Sequence, residues 1–186
     1  HPEVIGTFGQ VPEGGMTLVE TLADAEAVQP ADPERLAFLT QTTLSVDDTA
    51  EIVSVLRRRF PGIEAPHRED ICYATSNRQA AVKAIAGRCD AMLVIGASNS
   101  SNSLRLVEVA EREGTRARLV ARGSDVDFGW LSGVRTLGIT AGASAPEVLV
   151  REVVDRLAER FDVHEEPVEG VEENMVFKLP AGLKAA

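Results

Sequence analysis

Three short stretches of this chain share a design suited to holding an anion. In each, an apolar segment stops, small hydroxyl, amide or glycine residues follow, and a helix is expected to begin. They read Ile71-Cys72-Tyr73-Ala74-Thr75-Ser76-Asn77-Arg78-Gln79, Gly96-Ala97-Ser98-Asn99-Ser100-Ser101-Asn102-Ser103 and Thr140-Ala141-Gly142-Ala143-Ser144-Ala145-Pro146. Such loops leave backbone N–H groups unpaired at the positive end of a helix, where an anion is stabilised. One such loop says little, because Ser and Asn cap helices anyway. Three at the carboxyl ends of strands say more, since open α/β sheets bind ligands there. The first loop also carries Cys72, so the sharpest reading is a phosphate-type ligand beside a thiolate-held metal. Without the lysine of a P-loop, a small phosphorylated molecule fits better than a nucleoside triphosphate. Gly142 lacks the further glycines of G-x-G-x-x-G, which makes a dinucleotide dehydrogenase a poor third choice.

The elements that must carry these loops alternate between strand and helix signals. Met16 to Glu20 and Leu36 to Thr40 read as strands. Thr21 with Asp24 resembles a capping box, and Ser45 with Asp48 opens a helix to about Phe60, with Ile52, Val53, Leu56 and Phe60 on one face. Ser76 is expected to cap a helix with Gln79 at the capping-box position and Ala81, Val82 and Ile85 buried. Met92-Leu93-Val94-Ile95 lacks alternation, as a strand buried on both faces does. Leu106, Val107 and Ala110 mark the next helix, and Gly114 ends it. Arg118 to Val120 and Thr136 to Ile139 are further strands. Pro146 suits the first position of a last helix carrying Leu149, Val153 and Leu157. Repeated units of this kind predict an α/β fold: two small units, 1–68 and 69–161, with mostly parallel sheets flanked by helices. The first should be the imperfect one. An acidic tail, 162–186, follows, with Asn174 to Pro180 as an edge strand or flap.

Composition narrows the function. The 186 residues are 44% hydrophobic and 26% charged, ordinary for a soluble globular chain with a real core. No apolar run approaches the roughly 20 residues that span a bilayer. With 29 acidic against 19 basic residues the net charge is −10, which disfavours nucleic acid and leaves any anion to local donors. Two cysteines make no disulfide framework, and a cytoplasmic protein is expected. Cys89 reads as a small structural hydrophobe, and His67 and His164 as surface residues. The chain opens on His1-Pro2-Glu3 rather than methionine, so an excised fragment or processed product is expected.

Four motifs in order and at the right spacing carry a family resemblance: Thr40-Gln41-Thr42-Thr43-Leu44-Ser45-Val46-Asp47-Asp48-Thr49, Asp70 to Gln79, Asn99-Ser100-Ser101-Asn102-Ser103 and Thr140 to Pro146. Together they resemble the LytB/IspH family of 4-hydroxy-3-methylbut-2-enyl diphosphate reductases, from His1 to about Leu157. The resemblance implies part of a three-domain, trefoil-like enzyme that removes an allylic hydroxyl with two electrons and protons. The products would be isopentenyl and dimethylallyl diphosphates, made by the non-mevalonate route. It implies a [4Fe-4S] cluster held by three cysteines, with ferredoxin or flavodoxin as electron donor and a small diphosphate as substrate. By the same resemblance Cys72 is the third cluster ligand, and Ser100, Ser101, Asn102 and Ser144 are diphosphate donors. His1 lines the diphosphate pocket, and Thr42 with Glu3 handles the substrate hydroxyl and its proton.

Departures from the family pattern shape what is expected of the chain as it stands. The region that supplies two of the cluster cysteines and two pocket histidines is missing, and Ser98 stands where the family usually has lysine. One thiolate cannot hold a four-iron cluster, so the 186-residue chain is expected to be colourless and inactive alone. The alternative is a non-catalytic diphosphate- or phosphate-binding α/β module.

Overall fold

A strand without polar residues is stable only where both its faces are covered. Ala91–Ile95 (β1) is such a strand, and all five of its residues are buried. It lies at the centre of the computed structural model, which describes residues 1–168. Around it along the chain run helices α1 (Pro2–Phe8), α2 (Leu22–Ala27), α3 (Val46–Arg59), α4 (Tyr73–Ala86), α5 (Ser101–Arg112) and α6 (Glu147–Ala158). Strands β2 (Ala117–Val120) and β3 (Leu137–Ala141) pair in parallel with β1, giving the order β2-β1-β3. Leu93 stands opposite Arg118 on one side and Ile139 on the other.

Side chains of a strand alternate between its faces, so β1 feeds two cores. Met92 and Val94 pack with Val82, Ile85 and Ala86 of α4 and Leu106, Val109 and Ala110 of α5. Leu93 and Ile95 pack with Val120, Val126, Leu131 and, from α6, Val153 and Leu157. This is the expected parallel sheet flanked by helices. Cys89 packs half-buried against the first core, and burial pushes its thiol pKa up. Among the described residues no helix is long and apolar enough to cross a membrane.

Residues 1–68 behave differently from expectation. Met16 to Glu20 form no strand, and Leu36 to Thr40 contribute only a parallel bridge between Ala37 and Glu64. Apolar segments become strands only where a neighbour takes their backbone groups. Here Leu36 C=O and Phe38 N–H pair with Glu64, while Glu20 N–H and Thr40 N–H turn to the carboxylates of Asp24 and Asp70 instead of a neighbouring strand. A small core of Ala25, Val55 and Leu56 joins α2 to α3 instead. The capping box of Thr21 and Asp24 is present in both directions, and Ser45 Oγ accepts from Asp48 N–H at 3.2 Å. Arg59 closes the far end of α2 by donating to the carbonyls of Ala25 and Val28.

Helix α4 begins at Tyr73, three residues before the expected cap. Cys72 is the N-cap, and its carbonyl accepts from Thr75 N–H at 2.8 Å and Ser76 N–H at 3.0 Å. Ser76 therefore sits inside the helix, its hydroxyl bonded back to Tyr73 C=O. Gln79, 1% exposed, does not cap its own helix. It donates to Leu44 C=O at 2.8 Å and accepts from Val46 N–H at 3.0 Å, tying the turn before α3 to α4. Helix α6 begins at Glu147 with Pro146 as its N-cap, one residue later than expected. Residues 162–168 are exposed, without helix or strand. The expected edge strand at Asn174 to Pro180 lies outside the described residues.

Replacing Gln79 with leucine removes the side-chain partners of two backbone groups. Gln79→Leu should cost about 1–3 kcal/mol in urea unfolding. Ser76→Ala, which deletes only a back-bond within its own helix, should cost at most about 0.5 kcal/mol.

Candidate functional site

The helices after β1 and β3 leave to opposite faces of the sheet: α5 joins the first core and α6 the second. Adjacent strands that part in this way open a crevice at their carboxyl ends, the usual ligand position in an open α/β sheet. Both phosphate-type loops lie there, Gly96 to Ser100 after β1 and Gly142 to Pro146 after β3.

The start of α5 enters this crevice through two glycines. A Cβ on Gly96 would stand 2.1 Å from Ser103 Oγ, and one on Gly142 would stand 2.2 Å from the same atom. Neither position has room for a side chain. Ser100 is the N-cap of α5, its Oγ accepting from Ser103 N–H at 3.3 Å and lying 3.0 Å from Ser103 Oγ.

A cleft of about 360 Å³ opens beside this helix start. It is lined by His1 and Glu3 of α1, Thr42 and Thr43 before α3, and Cys72 and Thr75 at the start of α4. Ser100, Ser101 and Asn102 of the α5 start and Ala143 and Ser144 after β3 complete it. All eight site residues named from the sequence thus border one space, and among the described residues no Lys or Arg lines it. Asn102 is 6% exposed, yet neither its Oδ1 nor its Nδ2 has a hydrogen-bond partner among the described residues. A buried amide left unpaired costs about 1–3 kcal/mol, so such groups mark places where something else binds.

The opposite wall carries a chain of polar contacts. Gln41 Nε2 donates to Glu3 Oε2 at 3.0 Å and lies 3.0 Å from His1 Nδ1. His1 Nε2 lies 3.2 Å from Ser101 Oγ. His1 Nδ1 also accepts from Glu3 N–H at 3.3 Å, capping α1. Thr42 C=O accepts from Cys72 N–H at 3.0 Å, which fastens the Thr42 loop to the start of α4.

Cys72 is exposed and borders the cleft. Cys89 Sγ lies 3.0 Å from where a Cβ on Gly138 would stand, next to Met92, so it belongs to the core and not to the cleft. Among the described residues there is no cluster of three His, Cys, Asp or Glu able to hold a metal ion. A three-cysteine iron–sulfur cluster therefore does not fit the residues present, which offer one thiolate. His67 and His164 are exposed, and Ser98 is exposed outside the cleft lining.

Sequence reasoning passed over Thr75 and Gln41. Thr75 reads as a loop residue in the sequence, but α4 starts early enough to place it in the cleft, 2% exposed. Gln41 sits beside Thr42 in the first motif, but an amide has no acid, base or metal chemistry to draw attention to it.

The family model for the LytB protein matches residues 1–158. The chain is 62% identical over 183 residues to a 4-hydroxy-3-methylbut-2-enyl diphosphate reductase of Phenylobacterium zucineum, covering 98% of this chain and 58% of that protein. It is 63% identical over 185 residues to a reductase of the same description, numbered 2, from Rhodopseudomonas palustris, covering 99% of this chain and again 58% of the relative. The chain thus spans somewhat over half the length of these curated relatives. The solved structure of the E-1-hydroxy-2-methyl-but-2-enyl-4-diphosphate reductase from Plasmodium falciparum superposes with a TM-score of 0.90 at 36% identity. That superposition covers 98% of this chain and 57% of the other. With its fold, its motifs and nearly all its described length matched, the chain belongs to the LytB protein family.

Proposed function

We propose that this chain forms the substrate-binding part of a cytoplasmic reductase acting on 4-hydroxy-3-methylbut-2-enyl diphosphate. The reaction removes the allylic hydroxyl and yields isopentenyl and dimethylallyl diphosphates, the building blocks of isoprenoids. The observation that carries the diphosphate assignment is Asn102, a buried amide with both polar atoms unpaired in a cleft at two helix starts. Ser100, Ser101 and Ser144 supply further neutral donors around the same space. Cys72 would supply one thiolate to the [4Fe-4S] cluster that the family resemblance implies for a protein of full family length. Electrons arrive from ferredoxin or flavodoxin. Residues 1–68 and 69–161 act as two α/β units of that larger protein. The single thiolate favours a second reading for the chain alone, a diphosphate-binding module without catalysis.

Glu3 and Thr42 border the same cleft as the anion donors, so a substrate anchored by its diphosphate presents its other end to them. Glu3 donates the proton that lets the hydroxyl leave as water, and the Thr42 hydroxyl relays it. A positioned acid contributes about 10²–10⁴ in rate.

Three measurements follow. In the protein of full family length, Asn102→Ala should weaken pyrophosphate binding about ten-fold or more, since bonds to a charged oxygen are worth roughly 1.5–3 kcal/mol. Unchanged calorimetric affinity would reject the anion site. Glu3→Gln should lower kcat by about 10² or more while substrate still binds, and near-normal turnover would remove Glu3 from the mechanism. The 186-residue chain should retain no four-iron cluster after anaerobic reconstitution; roughly four irons per chain with activity would overturn the ligand assignment.

A further inference from the structure

Gln41 sits between two groups of the cleft and fixes which way their protons point. Its amide nitrogen is 3.0 Å from Glu3 Oε2 and 3.0 Å from His1 Nδ1, and His1 Nε2 is 3.2 Å from Ser101 Oγ. The amide nitrogen faces Glu3 Oε2, and an amide nitrogen can only donate. The second N–H of that nitrogen then points at His1 Nδ1, which also faces Glu3 N–H at 3.3 Å. With two donors directed at it, Nδ1 is the acceptor nitrogen, and the neutral imidazole carries its proton on Nε2. Nε2–H donates to Ser101 Oγ, which leaves the serine's own O–H free to turn into the cleft. In the opposite tautomer that O–H would be spent on His1, and Ser101 would offer an anion only lone pairs.

We propose that Gln41 is a positioning residue that holds His1 in its Nε2–H tautomer and thereby makes Ser101 a hydrogen-bond donor to the diphosphate. The inference rests on the diphosphate reading above and adds a residue that acts on the ligand through two others. It also makes Gln41 and Ser101 energetically coupled although the histidine stands between them.

The test uses the protein of full family length and pyrophosphate as probe. Nitrogen-15 spectra of His1 should show the Nε2–H tautomer, and Gln41→Leu should mix the two forms. Gln41→Glu keeps the shape but presents acceptors to both neighbours, and should move the proton to Nδ1. Ser101→Ala should weaken pyrophosphate binding by about three- to ten-fold in the parent, as loss of one hydrogen bond does, and by clearly less in the Gln41→Leu background. An Nε2–H tautomer that persists in both Gln41 variants would overturn the inference, as would equal losses from Ser101→Ala in the two backgrounds. Asn102→Ala separates this failure from failure of the diphosphate reading. If the parent bound pyrophosphate no better than Asn102→Ala, that reading would fall and with it the ligand of Ser101. The His1 spectra would still decide what Gln41 does.

Discussion

The site depends on Ser103 being driven between the ends of two neighbouring strands. Its hydroxyl lies where the side chains of residues 96 and 142 would be, within 2.2 Å of either ideal Cβ. A Cβ at residue 96 would also stand 2.6 Å from Ser103 Cβ, which only a shift of the α5 start relieves, whereas at residue 142 the Ser103 hydroxyl itself would have to turn away. The strand ladder is kept closed up to this point, with Gly96 N–H on Val120 C=O at 3.0 Å and Gly142 N–H on Ile95 C=O at 2.8 Å. A sheet end tied on both sides is a rigid platform. It presents Ser100, Ser101 and Asn102 at one fixed height, next to Ser144. The first turn of α5, with its dipole, faces the crevice there, an arrangement that suits an anion.

The other wall has no sheet behind it and is held by side chains. Gln79 satisfies both backbone groups of the turn before α3, and it does so from a fully buried position, where a missing bond is costly. Partly buried pairs of smaller worth also join these helices, Lys83 with Asp47 and Arg112 with Asp48. The Arg112 guanidinium hydrogen-bonded to Asp48 holds that carboxyl below its ordinary pKa. These contacts join α3 to α4 and α5, and the Cys72 N–H bond to Thr42 C=O then sets the threonine loop beside the cysteine. Thr42 and Cys72 therefore share a position through α4, although thirty residues of chain separate them.

What could be read from the sequence follows from how much each element depends on distant partners. Met92 to Ile95 announced itself, because a run without polar residues has few fates other than a strand covered on both faces. Ser45 and Thr21 were legible because a cap is local chemistry. Met16 to Glu20 and Leu36 to Thr40 carried the same apolar signal as true strands, but the described residues supply them with one bridging neighbour at most. Ser76 and Gln79 matched a capping box by spacing, and the match misled because Gln79 is committed to Leu44 and Val46 across the fold. The cleft itself was legible through its Ser, Asn and Cys residues. Gln41 was not, since its part comes from lying between Glu3 and His1, which only the folded chain brings together.

The cleft is also polar along its length, and this orders the events within it. Among the described residues one side offers neutral donors and helix ends, which suit an anion in spite of a chain carrying a net charge of −10. The other side carries the Glu3 carboxyl, which accepts from the Gln41 amide. Under the proposed function, such a field favours a diphosphate with its phosphates at α5 and its far end at Glu3 and Thr42. Neutral donors suit this division better than lysine would. A mobile ammonium in so small a space would pair with Glu3 as readily as with phosphate, neutralising the acid and blurring the orientation. The Gln41–His1 link then joins the two ends by hydrogen bonds instead of charge. The carboxyl at one end sets the direction of donation at the other while the two walls keep their separate roles.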